Sequence, residues 1–180
     1  MKFQTQELIN DLMARTRQVL EDAQDLKNIP PAYLNKRPSA SGWSALEAVH
    51  HLNLYGNYYL PEIEKAILSG GSKPEAVFRS GIFGNYFAKM MLPGKKMRKM
   101  KTQKNKDPLG MDLDTEVIDK FILQQKKMLD LLRRSSAVSL TTTKIPLSIG
   151  RFVKLRLGDI FRVVIYHNQR HMLQAKNAVK

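Results

Sequence analysis

The chain has no cysteine among its 180 residues, so it holds no disulfide, no thiolate metal ligand and no cysteine nucleophile of its own. Long hydrophobic runs are missing too. The longest is the four residues Val163, Val164, Ile165 and Tyr166, far short of the roughly twenty that span a bilayer and too short for the core of a secretory leader. The expectation is a soluble, cytoplasmic protein. Acidic residues are scarce: sixteen Asp and Glu against thirty Lys and Arg leave a formal charge of +14, which attracts anions. There is no Gly-x-Ser-x-Gly, no Walker loop and no dinucleotide glycine fingerprint, so serine hydrolase, nucleotidase and dinucleotide oxidoreductase chemistry finds no support.

What is present suits one domain over residues 1–180, because 43% hydrophobic residues suffice for a core. In residues 7–26, Leu8, Leu12, Val19, Ala23 and Leu26 recur at helical spacing, which predicts a first amphipathic helix stopped by Pro30 and Pro31. A second follows a polar loop. Ser44 and Glu47 form a capping box with Trp43 placed as a hydrophobic staple, and the helix should reach about Ser69 with a bend at Gly56 or Pro61. Residues 76–92 carry at most a short helix. Asp112 or Asp114 then caps a third helix, whose stripe of Val117, Phe121, Met128 and Leu132 ends near Arg134. Residues 135–147 read as extended, and a last helix over about 157–179 carries Ile160, Val164, His167, His171 and Ala178 on one face. Together these predict an all-α four-helix bundle with a long crossover between the second and third helices, which would then run parallel.

All four histidines fall in two clusters, His50-His51 and His167-Asn-Gln-Arg-His171. Histidines four apart on a helix place both imidazoles on one face, within reach of one metal ion, and a third from a facing helix would complete a centre with open positions. Such a pair alone does not distinguish ligands from core histidines bonded to carbonyls. Adjacent helical residues diverge by about 100°, so only one of His50 and His51 can serve. Periodicity leaves that choice open: His51 lies with Ala48, Tyr55 and Tyr58, and His50 with Leu46 and Asn53.

Residues 34–52, with Gly42-Trp43-Ser44 and His51-Leu52, followed far along the chain by His167-Asn-Gln-Arg-His171-Met-Leu-Gln174, resemble the DinB/YfiT-like superfamily. In that family a Gly-Trp-Ser/Thr signature opens the second helix, a His-Leu pair follows eight residues after the Trp, and His-x-x-x-His-x-x-Gln ends the last helix. The likeness runs through the whole chain in order. It implies a four-helix bundle holding nickel, zinc or iron through His51, His167 and His171, with His50 a bystander. It also implies thiol-dependent S-transferase or metal-dependent hydrolase chemistry on a small molecule, with a low-molecular-weight thiol as cosubstrate, and a homodimer. Lacking cysteine, the chain would need that thiol from outside. Glu47, one turn before His51, either orients it or serves the cap; Tyr55, Tyr58 and Tyr59 are candidates for lining the pocket, and Gln174 for packing or a hydrogen bond behind His171.

Residues 89–106 carry eight basic side chains and no acidic one, and without them the charge falls from +14 to +6. A solvated loop is the plain reading. Contact with nucleic acid or an anionic membrane surface, centred on Lys95, Lys96, Arg98 and Lys99, is the alternative function, that of a non-enzymatic binding protein. A third reading is that the segment flanks the pocket mouth and steers an acidic substrate toward the metal.

Overall fold

The computed structural model describes residues 1–94, 101–148 and 150–180, and of Arg151 the backbone alone. Lys95, Lys96, Arg98 and Lys99 therefore lie outside the described residues. The chain is predominantly helical: β1 (Lys2–Gln4), α1 (Thr5–Leu26), α2 (Pro31–Leu34), α3 (Ala45–Leu68), β2 (Val77–Arg79), α4 (Ile82–Met91), α5 (Glu116–Arg134), β3 (Lys144–Leu147), β4 (Gly150–Arg156) and α6 (Leu157–Ala178). α1 and α3 each pack on both α5 and α6, and α4 packs on α6.

Local chemistry explains the ends of the long helices. Both halves of the capping box at α3 form: Ser44 Oγ accepts from the Glu47 amide at 3.1 Å, and the Ser44 amide donates to Glu47 Oε2 at 2.8 Å. At α5 it is Asp114 that serves the first turn, accepting from the Glu116 amide at 2.9 Å. α3 is one helix through both Gly56 and Pro61. Gly56 serves a close approach: a Cβ there would fall 2.0 Å from Gln124 Oε1. Its absence admits the Gln124 amide, which donates to the Asn53 carbonyl at 3.2 Å and ties α5 to α3.

Two small antiparallel sheets accompany the helices, and the predominantly helical chain agrees with the expected all-α class. β1 pairs with β2, Phe3 opposite Phe78, and β3 pairs with β4, Ile145 opposite Leu155. The extended expectation for residues 135–147 holds only for Lys144–Leu147, because Ser135–Ala137 form a 3-10 turn continuing α5. β1, β2 and β3, of three or four residues each, show too few alternations to register as a period of two.

The core is divided. One apolar cluster gathers Leu8, Leu12, Ile63, Leu131 and Phe161, and a second gathers Val19, Leu26, Leu46, Phe121 and Met172. α3 and α5 both begin in the second cluster and end in the first, so they run parallel, while α1 and α6 run the other way. Between the clusters each long helix contributes buried polar side chains: Thr16, His51 with Asn53, Gln125, and His167 with Asn168. Each makes at least one hydrogen bond, while Asn53 Oδ1 is buried with none among the described residues. Thr16 donates to the Leu12 carbonyl at 2.8 Å, Asn53 to the Val117 carbonyl at 2.7 Å and Asn168 to Gln125 Oε1 at 3.0 Å. The histidines belong to this layer.

A candidate metal centre in the polar layer

α3 supplies His51 and α6 supplies His167 and His171, one turn apart. Their nearest ring nitrogens all lie within 4.8 Å of one another, with His51 and His167 buried and His171 nearly so. His51 Nε2 and His167 Nε2 are 3.3 Å apart. The ring of Trp43, just ahead of the α3 cap, lies 4.6 Å from that of His51 and 5.5 Å from that of His171. Tyr55, one turn along α3, sets its ring edge-on to His51 at 5.0 Å and to His167 at 4.8 Å.

Hydrogen bonds fix which nitrogen of two rings faces inward. His51 Nδ1 stands 2.7 Å from the carbonyl of Lys106, and His171 Nδ1 stands 2.8 Å from Gln174 Oε1. Both oxygens only accept, so each Nδ1 carries the proton and each Nε2 keeps a bare lone pair. Burial disfavours the charged ring. It pushes His51 down to about 4 and His171 to about 3, and holds His167 well below the ordinary range. Neutral imidazole is the form that binds metal. Two nitrogens about 2.05 Å from one ion at a tetrahedral angle sit about 3.3 Å apart, the spacing found between His51 and His167. The donor set fits a divalent ion of the borderline kind that imidazole serves, nickel, zinc and iron alike. Three protein nitrogens leave coordination positions open.

The other sequence candidates are placed as follows. Glu47 does not reach behind His51. Its buried carboxylate takes the Ser44 amide, the Arg37 guanidinium at 2.9 Å and the Gly110 amide at 2.6 Å, binding two loops to the start of α3. Tyr58 points to the β3–β4 hairpin, its hydroxyl 3.4 Å from the carbonyls of Pro146 and Leu147, and the Tyr59 hydroxyl lies 3.3 Å from Ser148 Oγ. His50 lies outside the cluster, half-buried, its pKa lowered by desolvation and then by Lys120. The grooves along β1 and the start of α1 contain no histidine.

Two residues at the site escape sequence reasoning. Lys106 acts through a main-chain carbonyl, which has no side-chain signature, and is pinned by its Nζ donating to the Leu54 carbonyl at 3.0 Å. Trp43 covers the imidazoles and is itself held by Asp107, whose Oδ1 accepts from the indole at 3.0 Å. The Trp at a fixed distance before His51 was the available signal for the second.

No curated protein and no solved structure gives a significant match to the chain. The family model described as the DinB superfamily matches residues 12–175, from within α1 to within α6, with all three histidines inside the match. On that match the chain belongs to the DinB superfamily.

Proposed function

We propose that this protein is a metal-dependent enzyme whose four long helices form a bundle around one divalent ion held by His51, His167 and His171. The observation that supports it most is the convergence of three neutral imidazoles, two buried and one partly so, in the layer between two apolar clusters. The inward lone pairs of His51 and His171 are held ready by the partners of their Nδ1 atoms, and a shared divalent ion would take both together with a nitrogen of His167. When bound, a divalent ion supplies a Lewis acid that acidifies a water or a thiol near neutral pH.

The chain's own residues prepare the place. Lys106 and Gln174 hold two rings in the ligating tautomer. Trp43 and Tyr55 wall the cluster, excluding bulk water. Burial raises the Tyr55 phenol above its ordinary pKa, so it stays protonated and offers a hydrogen bond to a substrate oxygen or sulfur. The Lys106 ammonium, 5.5 Å from the Tyr55 ring centre, favours a substrate bearing a carboxylate. With no cysteine in the chain, transfer to or from sulfur takes its thiol from a low-molecular-weight cosubstrate, and hydrolysis takes water.

The test is a paired assay of protein reconstituted with zinc or nickel. One arm offers a low-molecular-weight thiol with an activated aryl halide, the other an activated ester. Turnover in either arm that disappears in His167→Ala and with a chelator supports the reading. Turnover that survives both refutes it, as does the absence of turnover in metal-loaded protein across thiol and ester panels.

A further inference from the structure

We propose that Asp107 is a positioning residue of the metal centre: its carboxylate clasps the stretch 104–110 to Trp43, and so keeps the indole against the imidazoles and the Lys106 carbonyl on His51. The inference rests on the metal-centre reading and names a residue that acts through two others.

The helices carrying the three imidazoles are fixed by the core, but the outer edge of the site is not built from helix. Trp43 precedes α3, and Lys106 and Asp107 precede α5. From 101 to 110 Pro108 is the one buried residue. Little apolar burial holds this stretch down, so its place depends on polar bonds. Those bonds all reach back to residues 43–54. Lys106 Nζ donates to the Leu54 carbonyl, and the Lys106 carbonyl takes the His51 Nδ1 proton. Asp107 Oδ1 accepts from the Trp43 indole at 3.0 Å, and the Gly110 amide donates to the buried Glu47 carboxylate at 2.6 Å.

Asp107 stands at the middle of these fastenings. The oxygen that takes the indole also accepts from the Leu109 amide at 3.2 Å, so one carboxylate both turns the chain and grips Trp43. The turn is completed by the Met111 amide donating to the Pro108 carbonyl at 3.0 Å, with Gly110 at φ +86°, where glycine alone is at ease. It aims the Gly110 amide at Glu47. The Lys106 carbonyl and the Asp107 amide belong to one planar peptide unit, so a displaced Asp107 takes the acceptor of His51 with it. On the other side, the indole lies 4.6 Å from the ring of His51 and 5.5 Å from that of His171. Without its acceptor it is free to swing off the imidazoles and admit water. Both effects need a hydrogen-bond acceptor at position 107, which an amide oxygen supplies as well as a carboxylate.

The test compares wild type, Asp107→Ala and Asp107→Asn, first metal-free and then with zinc. In metal-free protein Asp107→Ala should move the Trp43 emission to longer wavelength and open it to acrylamide quenching, while Asp107→Asn stays near wild type. The zinc Kd, from competition with a chromophoric chelator, should rise about tenfold in Asp107→Ala and much less in Asp107→Asn. Urea midpoints of both variants should stay near wild type because Asp107 is exposed, which separates misplacement of the indole from loss of the fold. Wild-type emission and zinc affinity in Asp107→Ala would overturn the proposal alone, as would an Asp107→Asn variant impaired as much as Asp107→Ala. Wild-type protein that binds no zinc would overturn the metal-centre reading and the proposal with it.

Discussion

His51 Nδ1 donates to the main-chain carbonyl of Lys106 at 2.7 Å, fifty-five positions along the chain. The segment joining α4 to α5 thereby sets the tautomer of an imidazole on α3. Because the acceptor is backbone, a side-chain change at Lys106 removes the Nζ bond to the Leu54 carbonyl but not the acceptor itself. His171 is oriented by a side chain instead, Gln174. The two can thus be separated: Gln174→Ala should weaken zinc affinity by about tenfold to a hundredfold, the usual effect of losing a partner behind a ligand, and Lys106→Ala by much less. Competition against a chromophoric chelator checks this; equal losses in both variants would contradict it.

Trp43 is the only tryptophan and lies 4.6 Å from the ring of His51. Nickel or cobalt bound among the histidines should therefore quench its fluorescence, saturably and at one ion per chain. In His167→Ala the same titration should leave the emission nearly flat. Unchanged quenching in that variant would place the ion elsewhere.

The metal-free protein should lose stability as pH falls. Burial holds His51 near about 4 and His171 near about 3, below the ordinary value of about 6.5 that both regain on unfolding. Between those values the unfolded chain binds more protons than the folded one, so stability drops from pH about 6.5 toward 4 by up to about 1.4 kcal/mol per pH unit for each histidine. Urea midpoints of chelator-treated protein should fall across that window, and fall less in His51→Gln with His171→Gln. A midpoint unaffected by pH would show that the rings are not buried neutral.

Much of the helical framework is legible in the sequence because α1, α5 and α6 each repeat their apolar stripe over five or six turns, and because the capping box at Ser44 is a local signal. The choice between His50 and His51 is not legible from periodicity. Ala45, Leu46, Glu47, Ala48 and Val49 are all buried in succession, so the start of α3 has no clear outer face. The β1–β2 pair joins residues more than seventy positions apart through strands of three residues, too short to announce themselves. Glu47 illustrates the limit on a single side chain: its spacing to Ser44 reveals the cap, while its bonds to Arg37 and Gly110 depend on how distant loops return.

Asp159 and Arg162 form a buried ion pair at 3.2 Å, with Ser80, Gly81 and Asn85 completing the network. Asp159→Ala strands the guanidinium without its counter-charge and should cost about 3–5 kcal/mol. Replacing both residues, Asp159→Leu with Arg162→Met, should cost less than the single change. Denaturant unfolding measures both, and a double variant less stable than Asp159→Ala would contradict this account of the pair.

The central claim is the three-histidine centre, and metal content measures it most directly. Untagged protein reconstituted with zinc or nickel, desalted and analysed by mass spectrometry, should retain about one ion per chain. His50→Ala should retain it, whereas His51→Ala and His167→Ala should lose it while still folding by circular dichroism. Wild-type protein that holds no metal after reconstitution, or a His167→Ala variant that holds as much as wild type, would contradict the claim.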